Sequence, residues 1–532
     1  MIFMEETQNN HLTLEPARIS ELVEEAILDI ACELRADYRA VLEAAAADTR
    51  DRHETELADT RDHLDRASDT LDQLVQNAHI AHTQKVPLCQ DTGYVWVLLK
   101  VGGGISVPAQ VFSLVDAAVA RAYEQAHLRK SLVHDALGNR TNTGDNTPAF
   151  CEVEFVSSEV PYARLSVMLK GGGTDNASQL IMLPPSEGIK GVCHAVLDAV
   201  QEKGASACPP LVVGVGVGST FDKVAGLAKR ALLREVGSIH PNPDVATLEA
   251  QLLEAINGLG IGPSGFGGFP TALAVHINTA PCHMAALPVA VHFGCYAMRS
   301  KTIDLLDIKT DKTMFGAQDA GHRESRPREA ESQSGEQGLK PQERTSQDKR
   351  LDLPATKEQL AVFKAGDKVV LYGTIYTMRD AGHTRALDHL ETQGVLPFDL
   401  KGQALFYAGP AGQAPSEVAA GQARKERFTA IGPTTASRMD FATPQFLEAG
   451  ITVTLGKGKR AQTVIDACAR TGSVYLAATG GAAAYLAQFV TAAELIAWDD
   501  LGPEALYRLS LHGLPAYIAI DATGATLWDE EA

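Results

Sequence analysis

A long polar segment, residues 316–350, divides this chain into two parts. It contains one leucine, no aromatic residue and no β-branched aliphatic residue, together with seven acidic and seven basic side chains. A segment of this composition cannot bury a hydrophobic core, so it is predicted to be disordered. We therefore predict two domains, residues 1–312 and 353–532, joined by a disordered polar linker at 313–352.

The rest of the chain has the composition of an ordinary globular protein. The 532 residues are 45% hydrophobic and 21% charged, and this length exceeds what one core usually organises. The formal net charge of −19 argues against a nucleic-acid partner bound through a basic surface. The first residues lack the basic and apolar regions of a secretory signal, so no targeting to a membrane is expected.

The hydrophobic pattern predicts an α/β fold. Over residues 19–80 apolar residues recur every three or four positions, which indicates helices. Beyond residue 80, short apolar runs end in glycine-rich or polar turns and alternate with helical segments. In the second domain AQTVIDACART and AAAYLAQFVT are predicted helices, and VVLYGTIYTMRD and ITVTLGKG are predicted strands. Polar turns follow these strands at 377–383 and 456–460, where α/β sheets bind ligands.

One stretch, residues 255–298, contains no Asp, Glu, Lys or Arg. Prolines, glycines and three histidines interrupt it, so it does not have the character of a transmembrane helix. We interpret this stretch as the floor of a buried site.

Two glycine-rich loops could indicate a dinucleotide site. Residues 260–265 match GxGxxG, but they follow a helical pattern rather than a strand. Gly214, Gly216 and Gly218 do follow a strand, yet Ser219 stands where the next glycine of the motif belongs. Both contexts argue against nicotinamide-dependent chemistry, and the phosphate-loop, HExxH and GxSxG signatures are absent.

The eight cysteines are scattered and form no CxxC pair, which favours a reducing, cytoplasmic compartment over a disulfide framework. Most lie in helical or apolar patterns typical of packing residues. Cys89, Cys208 and Cys295 instead lie in turns beside predicted strands. They suggest a metal set, although their spacing alone does not identify one.

Ten short motifs occur in a fixed order along the chain. They are PLCQDTG, LRKS with TNTGDNTPA, KGGGTDN, GASACPP, IGPSGFGG, APCHMAALPVAV and CYAMR, followed in the second domain by TIYTMRDAGH, GPTTASRMD and TLGKG. With these motifs the chain resembles the class I, iron–sulfur-dependent fumarate hydratases and their relative L(+)-tartrate dehydratase. The resemblance implies fused α and β parts: a helical region with an α/β iron–sulfur domain, then a smaller α/β domain of swivelling type that closes over the substrate.

The resemblance also implies roles for individual residues. Cys89, Cys208 and Cys295 match the ligands of a [4Fe–4S] cluster, and three thiolates leave one iron open as a Lewis acid. Asp91 matches an acidic residue beside that iron. The positions that match substrate contacts are Arg129, Gly172, His283, Arg379, Arg438 and Lys457. Thr434 matches the catalytic base, whereas Asp91 and His383 have intrinsic pKa values better suited to that task.

The activity implied is the reversible hydration of fumarate to L-malate. Arginine side chains suit such a substrate because they pair bidentately with carboxylates. L(+)-tartrate dehydratase, which would convert tartrate to oxaloacetate, remains an alternative. A redox iron–sulfur protein would be expected to use a fourth cysteine ligand, which the matched set lacks. The resemblance further implies a homodimer, with a small dicarboxylate as ligand and neither nucleic acid nor membrane as partner.

Overall fold

A computed structural model describes residues 12–55, 61–138, 140–306, 348–396, 398–414 and 425–529. Residues 313–347 of the predicted linker lie outside these ranges. The last residues assigned to the linker, however, belong to a strand, Lys349–Leu353, whose Leu351 and Leu353 are buried. The second unit thus begins at least four residues before the predicted boundary, because two leucines do not stand out against the polar residues that precede them.

The N-terminal unit combines helices with two four-stranded sheets. Its helices are α1 (Pro16–Cys32), α2 (Ala36–Thr55), α3 (Arg61–Gln84), α4 (Val115–Gln125), α5 (Gly172–Asn176), α6 (Gly188–Lys203), α7 (Phe221–Ala231) and α8 (Pro243–Gly258). Its strands are β1 (Leu12–Thr13), β2 (Tyr94–Gly102), β3 (Ile105–Ser106), β4 (Phe150–Phe155), β5 (Tyr162–Lys170), β6 (Gln179–Leu183), β7 (Leu211–Ser219), β8 (Ala272–Cys282), β9 (Leu287–Gly294) and β10 (Arg299–Asp304). The helices predicted over residues 19–80 are confirmed as α1, α2 and α3.

The two sheets have the strand orders β10–β5–β2–β4 and β6–β9–β7–β8. In the second sheet α6 and α8 pack on one face, and α7 packs on the other. Burial on both faces explains why residues 255–298, which include β8 and β9, carry no charged side chain. It also explains Gly214 and Gly216, where an added Cβ would lie 2.3 and 2.4 Å from backbone oxygens of α7.

The C-terminal unit is built on one mixed sheet. Its strands are β11 (Lys349–Leu353), β12 (Lys368–Thr377), β13 (Ala404–Phe406), β14 (Ala408–Ala414), β15 (Lys425–Pro433), β16 (Val453–Gly456), β17 (Val474–Ala477), β18 (Val490–Ala497) and β19 (Leu506–Ile520). Its helices are α9 (Lys357–Leu360), α10 (Asp380–Gln393), α11 (Thr443–Glu448), α12 (Gln462–Thr471) and α13 (Ala483–Ala487). The predicted helix AAAYLAQFVT is correct only as far as α13, because Val490 and Thr491 already belong to β18, which pairs with β19.

The strand pairing of the C-terminal unit closes on itself. The parallel strands β12, β13, β16 and β17 lie side by side, and β19 pairs antiparallel with both β17 and β12. Closure leaves these five strands without a free edge. The polar turns that follow β12 and β16 therefore lie at the same end of the closed sheet.

The two units share one hydrophobic core. Leu71 and Leu74 of α3 and Tyr296 of the N-terminal unit belong to the same buried cluster as Leu371 of β12 and Leu476 of β17. The closing movement predicted for the second domain stays a prediction; the structure shows the two units in contact. No helix of the described part is both long and apolar enough to cross a bilayer.

Candidate active site

Three cysteines meet where the two N-terminal sheets approach each other. Cys89 lies just before β2, Cys208 just before β7 and Cys295 just after β9. The backbone N–H of Tyr296 donates to the carbonyl oxygen of Cys208 at 3.1 Å, which joins two of these turns. Burial raises the pKa of the Cys89 thiol to about 11, and both other thiols are near enough to add to the rise.

Positive side chains surround these thiols. Lys457 Nζ lies 2.5 Å from Cys208 Sγ. Burial by itself lowers the pKa of Lys457, but the three thiols outweigh that effect and the net pKa is raised. Burial raises the pKa of Cys295, while Arg299 and Lys170 act in the opposite direction. These positive groups therefore offset part of the cost that burial places on the thiolate, the form in which cysteine binds metals.

A metal cluster and a single metal ion place different demands on the cysteines. No three His, Cys, Asp or Glu side chains of the described residues converge on one metal ion. In a cluster each thiolate binds a different metal atom, so the sulfurs need only surround a shared space. Gly480 of the C-terminal unit packs directly against Cys208, since an added Cβ would lie 2.7 Å from the sulfur atom.

Asp91 connects the cysteine turns to the proposed substrate contacts. Its Oδ1 lies 3.0 Å from Arg129 Nη2, its Oδ2 accepts from the backbone N–H of Gly172 at 3.0 Å, and its carbonyl oxygen accepts from Arg299. Burial alone would raise its pKa, but Arg129, Arg299 and Arg379 together lower it. Asp91 is therefore an ionised carboxylate and a weak proton acceptor.

Arg379 follows β12 and is buried at the interface between the units. Its nearest acidic atom is Glu504 Oε1, 3.5 Å from Nη2, and its Nε has no hydrogen-bond partner. Burial lowers its pKa to about 10, and repulsion from Arg129 and Arg438 contributes. Three arginines within mutual electrostatic range form a site suited to an anion.

Arg438 and Thr434 lie in the turn after β15. Arg438 is held by both carboxylate oxygens of Asp380 and donates to Thr434 Oγ1 at 3.1 Å. Lys457 is fixed beside them, because its backbone N–H donates to the carbonyl oxygen of Thr434 and its carbonyl accepts from Ala436. The turns after β15 and β16 thus present Thr434, Arg438 and Lys457 together.

His383 lies outside this arrangement. Its ring is fully buried, stacks on Phe446 and meets Tyr407 edge-on. Nδ1 is 2.8 Å from the carbonyl oxygen of Arg379, while Nε2 has no partner. Burial lowers its pKa to about 4, so the ring is neutral. Its position supports the backbone of Arg379 rather than a contact with substrate.

His283 is also separated from the cysteines. It lies in the exposed turn between β8 and β9, where its Nδ1 accepts from Ala285 N–H. Cys295 follows the other end of β9, which has eight residues. At about 3.3 Å per residue, His283 and Cys295 are on the order of 25 Å apart within one chain.

The structure adds residues that sequence reasoning did not single out. Arg299 contacts Asp91, as described above, and Lys170 Nζ donates to Phe293 O and, at 2.6 Å, to Thr174 Oγ1. Gln90 Nε2 donates to Pro433 O at 3.2 Å and so bridges the two units. Each lies inside a quoted motif, within four residues of a residue that was named, and that proximity was the available signal.

Comparisons with known proteins identify what this chain is similar to. The family model for fumarate hydratase matches residues 20–304, and the model for the fumarase C-terminus matches residues 323–531. A Geobacillus stearothermophilus protein named "Putative fumarate hydratase class I" is 30% identical over 486 residues, which cover 87% of this chain and 89% of that protein.

Two further relatives match about half of this chain. "Putative L(+)-tartrate dehydratase subunit alpha" of Methanocaldococcus jannaschii is 38% identical over 286 residues, covering 53% of this chain and 95% of that protein. L(+)-tartrate dehydratase subunit alpha of Escherichia coli K12 is 34% identical over 248 residues, which cover 45% of this chain and 80% of that protein. The relatives thus carry two different substrate names.

Proposed function

This chain belongs to the class I fumarate hydratase family and is a hydro-lyase, and we propose that it interconverts fumarate and L-malate. The observation that carries the proposal is the convergence of Arg129, Arg379 and Arg438 beside Asp91 and the three cysteines. Fumarate and malate each bring two carboxylates, which offset this concentration of positive charge.

Cys89, Cys208 and Cys295 are proposed to hold a [4Fe–4S] cluster. The donor set supports this, because Lys457, Lys170 and Arg299 face the three thiols and offset part of the cost of forming buried thiolates. When bound, such a cluster supplies one iron without a protein thiolate, which serves as a Lewis acid for water or the substrate hydroxyl. Asp91, held by Arg129 and Gly172, is the acidic group nearest to the thiols in sequence.

The substrate clamp is proposed to comprise Arg129, Arg379, Arg438 and Lys457, with the N–H of Gly172 alongside. Arg438 is preorganised by its paired contact with Asp380, and Arg379 by its partial contact with Glu504. The unpartnered Nε of Arg379 leaves a buried donor available for a carboxylate oxygen.

Thr434 is proposed as the group that exchanges a proton with the substrate carbon. Its hydroxyl accepts a hydrogen bond from the Arg438 guanidinium, whose positive charge favours the deprotonated form of the hydroxyl. Asp91 is a weaker candidate because its pKa is lowered, and His383 because it is fully buried. In dehydration the deprotonated Oγ1 of Thr434 takes the C–H proton of malate, and the electron pair of that C–H bond forms the double bond of fumarate. The hydroxyl group leaves the neighbouring carbon as hydroxide, which a proton from solvent converts to water.

We further propose a homodimer located in the cytoplasm. A second copy of the chain would allow His283 to act as a substrate contact, which the separation from Cys295 prevents within one chain. The eight free cysteines of the structure suit a reducing compartment.

The activity is tested by anaerobic purification, iron and sulfide analysis, and dehydration assays with L-malate and L(+)-tartrate as rival substrates. We expect bound iron and sulfide and formation of fumarate from malate. Preferential formation of oxaloacetate from tartrate would favour the alternative, which the names of two relatives support. Absence of iron together with absence of both activities would overturn the proposal.

A further inference from the structure

A row of polar side chains on α3 contacts the C-terminal unit. Asp69, Gln73 and Asn77 are spaced four residues apart, which places them on one face of the helix. Asp69 accepts from Lys368 Nζ and from the hydroxyl of Tyr517, both at 2.7 Å. Asp69 is half-buried, whereas Gln73 and Asn77 are buried, so three successive turns of one helix present hydrogen-bonding groups to the second unit.

The other two members of the row contact the segment that follows β17. Gln73 Oε1 accepts from Thr479 Oγ1 at 2.7 Å, and Asn77 Oδ1 accepts from the backbone N–H of Tyr485 at 2.9 Å. The C-terminal unit is therefore docked through specific buried hydrogen bonds in addition to apolar packing. Loss of any one of these bonds would leave a buried polar group without a partner, which costs free energy.

Asn77 also reaches the cysteine turns. Its Nδ2 donates to the carbonyl oxygen of Leu88, next to Cys89, at 2.9 Å and to the hydroxyl of Tyr296 at 2.6 Å. Tyr296 follows Cys295, and its backbone N–H is bonded to Cys208 as described above. The orientation of the amide is fixed, since Tyr485 N–H requires an acceptor and Leu88 O requires a donor.

The segment docked by these contacts covers the same turns. Gly480 N–H donates to Ser264 Oγ at 3.2 Å, and the residue lies against the sulfur of Cys208. Gly481 lies against the ring of Tyr296, where an added Cβ would be 2.8 Å from a ring carbon. Its φ of +88° is favourable for glycine and strained for other residues.

We infer that Asn77 is a positioning residue that couples docking of the C-terminal unit along α3 to the arrangement of the three cysteine turns. A single buried amide holds the turn of Cys89, the turn of Cys295 and the start of α13. Docking of the second unit thereby also shields the cysteines. The inference rests on the proposed function only where it concerns the cluster, because the contacts of Asn77 are hydrogen bonds between protein groups.

The test measures the alkylation rate of each cysteine in the full chain, prepared without metal, with iodoacetamide and mass spectrometry. In Asn77→Ala we expect Cys89 and Cys295 to react about tenfold faster, as loss of one buried hydrogen-bonding group implies. Cys468, buried in α12, is the internal control and should not change. His79→Ala, on the exposed side of the same helix, is the matched control variant.

Asn77→Asp separates the two roles of the amide. It keeps an acceptor for Tyr485 N–H and loses the donor to Leu88 and Tyr296. We expect Cys89 and Cys295 to become reactive while Cys208, which Gly480 covers, stays protected. If Cys468 reacts as fast as Cys89 and Cys295, Asn77→Ala has unfolded the chain. The smaller change Asn77→Ser is then tested for faster alkylation of Cys89 and Cys295 with Cys468 unchanged.

The result that overturns the inference is unchanged reactivity of Cys89 and Cys295 in a folded Asn77 variant. In iron-loaded enzyme, the variant should also lose the visible absorbance of the cluster about tenfold faster in air. A wild-type chain that binds no iron would overturn the proposed function, but it would leave the alkylation comparison intact.

Discussion

At the scale of the residue, Arg379 shows how burial and repulsion can prepare a binding group. Its side chain is 9% exposed, and burial together with Arg129 and Arg438 lowers its pKa to about 10. Glu504, 3.5 Å away, only partly balances the charge. An anionic ligand would relieve this unfavourable arrangement, so part of the binding energy is prepared before the substrate arrives.

Arg379→Lys should weaken substrate binding strongly. Lysine keeps the charge but loses the planar pair of donors that fits a carboxylate, so we expect kcat/KM for malate to fall about a hundredfold. Steady-state kinetics and a thermal melt of the same sample measure the effect. Arg385→Lys is the matched control, because Arg385 lies on the exposed side of α10 and pairs with Asp500; an equal loss there would contradict the assignment.

His383 should make stability depend on pH. Its pKa is about 4 in the folded chain and ordinarily 6.5, so the unfolded chain binds the extra proton. The free energy of unfolding should therefore fall as pH decreases from about 6.5 to 4, by about 3 kcal/mol for this group. Urea denaturation at several pH values should show a shallower dependence in His383→Gln than in wild type. The exposed His79→Gln is the control, and identical slopes in all three proteins would refute the effect.

At the scale of the element, β11 shows that a short strand can be specified by its neighbours. Its KRLDL sequence has only two apolar residues, yet both are buried and the strand pairs in register with β12. Composition over a long window assigns these residues to the linker. Pairing with β12 nevertheless makes these residues a strand, because it satisfies the backbone hydrogen-bonding groups of both strands.

A divided chain tests the importance of β11. We expect residues 1–312 and 345–532, produced together as two polypeptides, to copurify, because the shared core and the contacts of α3 do not require the linker. The pair made with residues 353–532 lacks most of β11 and the buried Leu351. It should be less stable by about 2–5 kcal/mol, seen as a lower melting temperature. Equal melting temperatures would show that β11 is dispensable.

At the scale of the whole molecule, the predicted site residues fall into two places that are far apart within one chain. Cys295 and His283 lie beyond opposite ends of β9, whereas Thr434 lies in the C-terminal unit beside Arg438. The contacts between the units place Thr434, Arg438 and Lys457 near the cysteines, and no rearrangement of one turn could bring His283 to them. The proposed homodimer, in which each copy would supply its His283 turn to the other, would bring these groups together.

Complementation between two inactive variants tests this arrangement. His283→Ala and Thr434→Ala chains, each tagged differently and purified as a mixed dimer, should regain about half of the wild-type activity, because one of the two sites is then intact. The two parent dimers, each with a defect in both sites, are the controls. A mixed dimer as inactive as its parents would show that His283 acts within its own chain or not at all.

The residues of the motifs could be recognised from the sequence, and so could most elements. The spacing of apolar residues predicts helices α1 to α3. Because Ser219 stands where a dinucleotide-binding loop has a glycine, the sequence also argues against such a loop at Gly214 and Gly216. Their actual use, as the close approach of α7 to β7, depends on a helix from elsewhere in the chain. Arg299, Gln90 and Asn77 were missed because their partners are distant in sequence.

The sequence by itself determined which chemical groups are present: three cysteines in turns, a set of arginines, and a polar segment between two domains. Only the tertiary structure decided which of these groups meet. Cys89, Cys208 and Cys295 come together through strand pairing and the contacts of Tyr296 and Asn77, while His383 and His283 are directed elsewhere. The reason is physical: side-chain identity is local to the chain, whereas burial, pKa and proximity arise from the packing of residues far apart in it.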